Sequence, residues 1–268
     1  MREPIFLSSF RSLPFARRAA VLAATALVLW ACSSAPSAGP RSVPSADIAC
    51  RPLPRVYPAT SWDRIATPEC AGWSSAGLDS VRAKLAGLST TGFVAVVGGR
   101  VLADYGDVQA VSYLASVRKS VLSMLYGIYV ERGVISLDKT LAQLGIDDIG
   151  GLTDAEKQAT TRHLLSARSG VYHEASNSGD DLGSAPPRGS QRPGAYYLYS
   201  NWDFNALGTI FEKETGTNIY DALEEHLARP LRMQDFNRSI HERSGDTTRS
   251  IHKAYHMHLS TRDMARIG

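Results

Sequence analysis

Read for the spacing of its hydrophobic and polar positions, the chain changes character near residue 70. Before it, Ala19 to Ala31 is an unbroken run of apolar and small residues, and Ser33 to Ala46 is almost wholly Ser, Pro, Ala and Gly. The second stretch cannot bury a core and is expected to act as a tether. After Cys70 the spacing becomes that of folded elements. Gly77-Leu78-Asp79 opens a short amphipathic helix reaching about Leu88. Phe93-Val94-Ala95-Val96-Val97 and Arg100 to Tyr105 flank Gly98-Gly99, the pattern of two strands joined by a tight turn. Ser120 to Val130, closed by Gly133, is apolar nearly all round and predicts a helix buried on every side. Further helices are predicted over Asp154 to Ser166, Asn201 to Thr215 with a stop at Gly216, and Ile219 to Ala228 before Pro230. A loop rich in Gly, Pro and Ser spans Asn177 to Gly194, a length more usual for binding loops than for simple connections.

These elements predict an α/β (α+β) fold, an antiparallel sheet flanked by helices with a helical lobe. One hairpin is too little sheet to stand alone. Ser260-Thr261-Arg262-Asp263 resembles a capping box opening a helix, yet only about two turns follow before Gly268. The late strands of the sheet are therefore expected to lie outside this sequence, with 70–268 forming an incomplete domain.

The composition, 44% hydrophobic and 21% charged over 268 residues, excludes disordered and collagen-like chains. The net charge of +3 is less informative than its location. Arg2, Arg11, Arg17 and Arg18 face only Glu3 in residues 1–31, which leaves 25 basic and 25 acidic residues from Cys32 onward. A neutral body gives no electrostatic case for a nucleic-acid partner. The basic start followed by a thirteen-residue apolar run predicts a signal peptide over 1–31, too short to span a bilayer, which takes about 20 residues. The sequence Leu29-Trp30-Ala31-Cys32 resembles a bacterial lipoprotein signal, which implies lipidation at Cys32, a tether over 32–69 and a place in the cell envelope facing the periplasm. Cleavage without a lipid is the plain alternative. Of the three cysteines, a lipid on Cys32 leaves Cys50 and Cys70 free to pair in an oxidising envelope or to remain separate thiols.

The candidate chemistry begins with Ser116-Val117-Arg118-Lys119. Residues i and i+3 share a helix face, so Lys119 can reach and activate the otherwise weak Ser116 nucleophile. Ser136 to Lys139 and Ser250 to Lys253 repeat the Ser-x-x-Lys spacing. Only Ser116 sits where a hairpin feeds the first turn of an apolar helix. Ser136 reads as capping material, and Ser250 lies in a stretch without apolar periodicity. Tyr199-Ser200-Asn201 is the one Tyr-x-Asn of the chain, set between the long loop and a helix. Asn201 as a helix cap beside a packed tyrosine is the alternative reading.

Ser-x-x-Lys followed about eighty residues later by Tyr-x-Asn resembles the penicillin-recognising serine hydrolases, the superfamily of class C β-lactamases, DD-peptidases and family VIII carboxylesterases. Ser116 to Leu144, Arg162 to Gly170 and Tyr199 to Gly208 extend the likeness. The resemblance implies a β-lactamase/transpeptidase-like fold and an acyl-enzyme on Ser116, with Lys119 and Tyr199 as the base system and Asn201 orienting substrate. The expected partner is a small amide or ester: a β-lactam, a D-amino-acid peptide or a short acyl ester. Its alternative is a non-catalytic envelope protein that binds peptidoglycan-like ligands or a protein partner. Lys and Tyr titrate near 10, so either must fall about 3 units, roughly 4 kcal/mol, to act as a free base at neutral pH. A helix N-terminus supplies at most about 2 kcal/mol of that.

The superfamily's third motif, Lys-Thr-Gly or its equivalent on a late strand, is absent; Lys213-Glu214-Thr215-Gly216 is a helix end. The 268-residue sequence alone is therefore expected to be inactive or barely folded, because that strand supplies the second oxyanion donor. His252, His256 and His258 lack the accompanying ligands of a metal site, so no metal and no cofactor is expected. His163 and Arg118 read as structural residues. Tyr196, Tyr197 and Trp202 read as lining of an acyl pocket or as core.

Overall fold

A computed structural model describes residues 50–268; the signal-peptide and lipidation expectations, 1–31 and Cys32, lie outside the described residues. The architecture is α+β. In chain order the elements are α1 (Ser75–Ala86), β1 (Gly92–Val97), β2 (Arg100–Gly106), β3 (Val111–Tyr113), α2 (Val117–Glu131), α3 (Leu141–Leu144), α4 (Thr161–Leu165), α5 (Asn201–Thr215), α6 (Ile219–Leu223), β4 (Glu242–Ser244), β5 (Ala254–His256), β6 (His258–Ser260) and α7 (Thr261–Ile267). The strands described form three antiparallel pairs: β1 with β2, β3 with β6, and β4 with β5. No helix among the described residues is long and apolar enough to cross a membrane.

The hairpin forms where the alternation and the Gly98-Gly99 turn place it, with a register shift between Ala95 and Val96. It also pairs with a segment that falls within the expected 32–69 tether. Ile65 N donates to Val101 O and Val101 N to Asp63 O, both at 2.9 Å. Arg64 forks onto both carboxylate oxygens of Asp104 at 2.7 Å. Val56 N meets Gly98 O at 3.0 Å, and a Cβ on Gly99, whose φ is +83°, would lie 1.7 Å from Val56 O. The packed part of the chain therefore begins well before Cys70, because backbone pairing with β2 and Gly98 fixes residues whose side chains are unremarkable. Cys50 and Cys70 form a disulfide with Cα atoms 5.0 Å apart.

The main core lies between α2 and α5. Leu122, Leu125 and Tyr126 of α2 meet Trp202, Leu207 and Phe211 of α5, all at most 1% exposed. Tyr126 Oη donates to Leu207 O at 2.7 Å, and the Tyr129 ring meets Phe211 edge-on at 5.1 Å. Helix α5 spans the predicted residues: the Ser200 hydroxyl accepts from Trp202 N at its start, and Gly216 at φ 65° ends it. Gly208 lets β5 approach, since a Cβ there would lie 2.7 Å from a Tyr255 ring carbon.

Three expectations need correction. Helix α2 is not buried on every side: Val117, Ser120, Ser123, Gly127 and Glu131 form an exposed stripe at helical spacing. Serine and glycine occupy that face, while the large apolar residues turn to the core. The helix predicted over Asp154 to Ser166 breaks into a 3₁₀ turn at Glu156–Gln158 and α4, because Thr160 is extended and caps α4 in a box with His163. Ile219 to Ala228 is α6 followed by a π-turn over Glu224–Ala228. The box gives His163, read from sequence as a structural residue, a role in capping α4. Ser136 accepts from Asp138 N, but the cap of α3 is Thr140.

Candidate active site

Strand β3 delivers the chain to α2 through a sharp turn. Leu114 N bonds Met257 O at 2.9 Å, Ala115 takes a left-handed φ of 45°, and Ser116 then occupies the N-cap of α2. A non-glycine residue in that region stores backbone strain and is unusual. The Ser116 hydroxyl makes no capping bond. It lies 2.6 Å from Tyr199 Oη instead, and accepts from Lys119 Nζ at 3.3 Å.

Lys119, one turn into α2, is 9% exposed. Its ammonium donates to Tyr199 Oη and, at 2.7 Å, to Asn201 Oδ1. The same Nζ lies 4.3 Å from the Tyr199 ring centroid and 5.0 Å from that of Phe204. Because Ser200 is the cap of α5, Asn201 is released from that duty. Its backbone N donates to Asp180 Oδ2 at 3.0 Å and its Nδ2 to Ser178 O at 2.9 Å, so the long loop fixes which way its carbonyl oxygen points. The four residues singled out in the sequence, Ser116, Lys119, Tyr199 and Asn201, therefore come together in one hydrogen-bonded cluster.

The environment shifts both titratable groups. Burial draws the Lys119 ammonium below its ordinary value; the hydrogen bond with Tyr199 opposes this and the Arg118 charge adds to it. Burial pushes the Tyr199 phenol up, but hydrogen bonds from Lys119 and Ser116 and the charges of Lys119 and Arg118 outweigh it, leaving the phenol below its ordinary value. The two groups share a hydrogen bond and titrate as one unit.

Ser116 opens into a cavity of about 390 Å³. One wall is the exposed stripe of α2, Ser120 and Ser123; the other is Leu165, Ser166, Ala167 and Tyr197, with Phe204 and Tyr199 between them. Tyr197 is thus pocket lining, whereas Trp202 is wholly buried core and Tyr196 an exposed neighbour. Sequence reasoning missed Ser120 and Ser123, although their offsets of four and seven from Ser116 place them on its helix face. It also missed Asp180, which no local pattern ties to Asn201. The other Ser-x-x-Lys serines lie elsewhere: Ser250 is wholly buried, its hydroxyl on Asp148. His252 is core, contacting Thr209 Oγ1 and Asp147 O. His256 and His258 pack beside Tyr113. Among the described residues no group of three or more His, Cys, Asp or Glu is placed to hold a metal.

Known proteins resemble this chain in sequence and fold. A family model described as Beta-lactamase matches residues 80–268. Monacolin J acid methylbutanoyltransferase of Aspergillus terreus is 27% identical over 161 residues, covering 48% of this chain and 38% of its own length. A protein of Bacteroides dorei DSM 17855 classed with the beta-lactamases shares the fold at a TM-score of 0.53 and 21% identity, over 73% of this chain and 62% of that one. The octameric penicillin-binding protein homologue from Pyrococcus abyssi does so at 0.52 and 18%, over 72% and 55%. The chain spans less than two thirds of the length of each. With the match extending over most of the described residues, the chain belongs to the beta-lactamase family.

Proposed function

We propose that the protein is a serine acyl-transfer enzyme, a hydrolase of a small amide or ester that works through an acyl-enzyme on Ser116. The observation that carries this reading is the contact of one exposed hydroxyl, Ser116 Oγ, with both Tyr199 Oη at 2.6 Å and Lys119 Nζ at 3.3 Å. In the acylation step Oγ attacks the substrate carbonyl carbon while its proton passes to the Lys119–Tyr199 pair. The Ser116 backbone N–H at the helix start is available to the developing oxyanion. Collapse of the tetrahedral adduct breaks the bond to the leaving alcohol or amine, which takes the proton from the pair. Water, deprotonated by the same pair, then releases the acid. Asn201, fixed by Asp180 and Ser178, holds Lys119 in place. The acyltransferase relative named above makes an alcohol in place of water a natural variant of the last step.

Lipidation at Cys32 and an envelope location belong to the same proposal and rest on sequence. A fluorophosphonate probe, with a labelled penicillin beside it, tests the catalytic reading on the protein expressed from its complete reading frame. The expected result is an adduct located by mass spectrometry on Ser116 and lost in Ser116→Ala. Absence of any adduct on Ser116 refutes catalysis and favours a ligand-binding protein of the same fold.

A further inference from the structure

Arg118 occupies a position that charge does not tolerate without cause. It is 1% exposed, yet among the described residues it meets no carboxylate. Its Nη2 donates to Asn205 Oδ1 at 3.2 Å, its guanidinium lies 4.3 Å from the Tyr255 ring centroid, and its Nη1 is buried without a partner. A guanidinium does not lose its proton in a protein, and a buried charge without an ionic partner costs several kcal/mol.

The groups packed around it do not cancel that charge. From α5, Asp203 is wholly buried, its Oδ1 accepts from Ser169 Oγ at 2.6 Å rather than from Arg118, and burial pushes its carboxyl well above the usual carboxylate range. From β5, burial keeps the Tyr255 phenol protonated, while burial and then Arg118 lower His256, so neither supplies an anion. From β4, Arg243 is engaged by Glu212 at 3.1 Å. On α2 the next residue is Lys119 itself, and Tyr199 feels the Arg118 charge as well. Asp180 favours the charged form of Lys119, from the other side of Asn201.

We propose that Arg118 is a positioning residue of the Ser116 site, a fixed buried cation that biases the Lys119–Tyr199 pair toward giving up a proton. The proposal rests on the acyl-enzyme reading. A positive charge beside the pair destabilises the form in which both groups are protonated, so the first proton leaves at lower pH and the base is available near neutrality. The isolated cation thus opposes its own burial cost with a catalytic benefit.

The test is the pH dependence of kcat/KM for an activated ester, measured beside the rate of fluorophosphonate labelling of Ser116. Arg118→Met removes the charge at similar volume, with Arg118→Gln in its place should Met fail to fold. Asn205→Asp leaves the guanidinium and sets a carboxylate against it. Arg118→Lys keeps a cation without the fork. The acid limb is expected to move up by about 1 pH unit in the first and second, and to stay with the parent in the third. Folded Arg118→Met (or Gln) and Asn205→Asp variants whose limbs coincide with the parent overturn the proposal, since a purely structural role would lower stability without moving the limb. Turnover or labelling that survives Ser116→Ala overturns the underlying acyl-enzyme reading instead.

Discussion

Asp148 ties together segments distant in sequence, and its removal is a quantitative test of how the site is supported. Its wholly buried carboxylate accepts from Trp202 Nε1 at 2.7 Å, Ser250 Oγ, Ile251 N at 2.9 Å and Ile149 N at 2.7 Å. Trp202 directly follows Asn201, so this network holds the start of α5. In Asp148→Ala the two donors on wholly buried residues, Trp202 Nε1 and Ser250 Oγ, lose their acceptor. Each unsatisfied buried group costs about 1–3 kcal/mol, which gives a loss of about 4 kcal/mol out of a usual total of about 5–15. For a domain of this size that lowers Tm by about 10 °C. Asp148→Asn keeps one acceptor oxygen and is expected to fall between the two. Burial alone raises the Asp148 carboxyl, but the hydrogen bonds from Ser250, Ile251, Trp202 and Ile149 more than reverse it, so it titrates below the usual range. Its stabilisation is therefore present above the ordinary carboxylate value near 3.9 and disappears as pH falls through the folded value, narrowing the gap between parent and Asp148→Asn in acid. Urea unfolding followed by tryptophan fluorescence measures all three proteins. An Asp148→Ala loss under 1 kcal/mol at pH 7 would refute the reasoning.

Other consequences are as direct. Tyr199→Phe removes the hydroxyl between Ser116 and Lys119, and kcat/KM for an activated ester should fall about 10²- to 10⁴-fold, the usual worth of a general base; a loss below tenfold contradicts a role in proton transfer. His241 is lowered to about 4, by burial first and then by His258 and Arg238. Its stability contribution is complete above about pH 6.5 and is lost as pH falls toward 4, about 3 kcal/mol in all. His241→Phe, which can keep the stack on Tyr220, should flatten the stability profile between those values by that amount, and an unchanged slope would count against the assignment. Reducing the Cys50–Cys70 bridge, or replacing both by Ser, should cost about 3 kcal/mol from the loop of 20 residues it closes, read as a Tm shift with and without reductant.

Much of this was legible along the chain. The Gly98-Gly99 hairpin and α5 rest on local rules, alternation about a turn and a polar cap with a terminal glycine. Ser116 and Lys119 meet because the helix period puts them on one face, and Tyr199 and Asn201 because they flank Ser200, the cap of the next long helix. Other features have no local signature. Residues 56–65 pack through backbone bonds to β2 and Gly98, which leave little trace in composition. The exposed face of α2 was hidden because serine and glycine at helical spacing look alike whether they face a neighbour or a cavity.

The sequence by itself determined the local elements and the identities of the reactive groups, since a helix period and a capping residue act over a few positions. Tertiary structure alone decided their energetics. It set a hydroxyl from α2 against a phenol from the start of α5 and took the lysine out of water. It also buried Arg118 against Asn205 and Tyr255, with no carboxylate on it among the described residues. Proton affinity depends on burial and on charges brought from remote parts of the chain, and those distances exist only once the chain has folded.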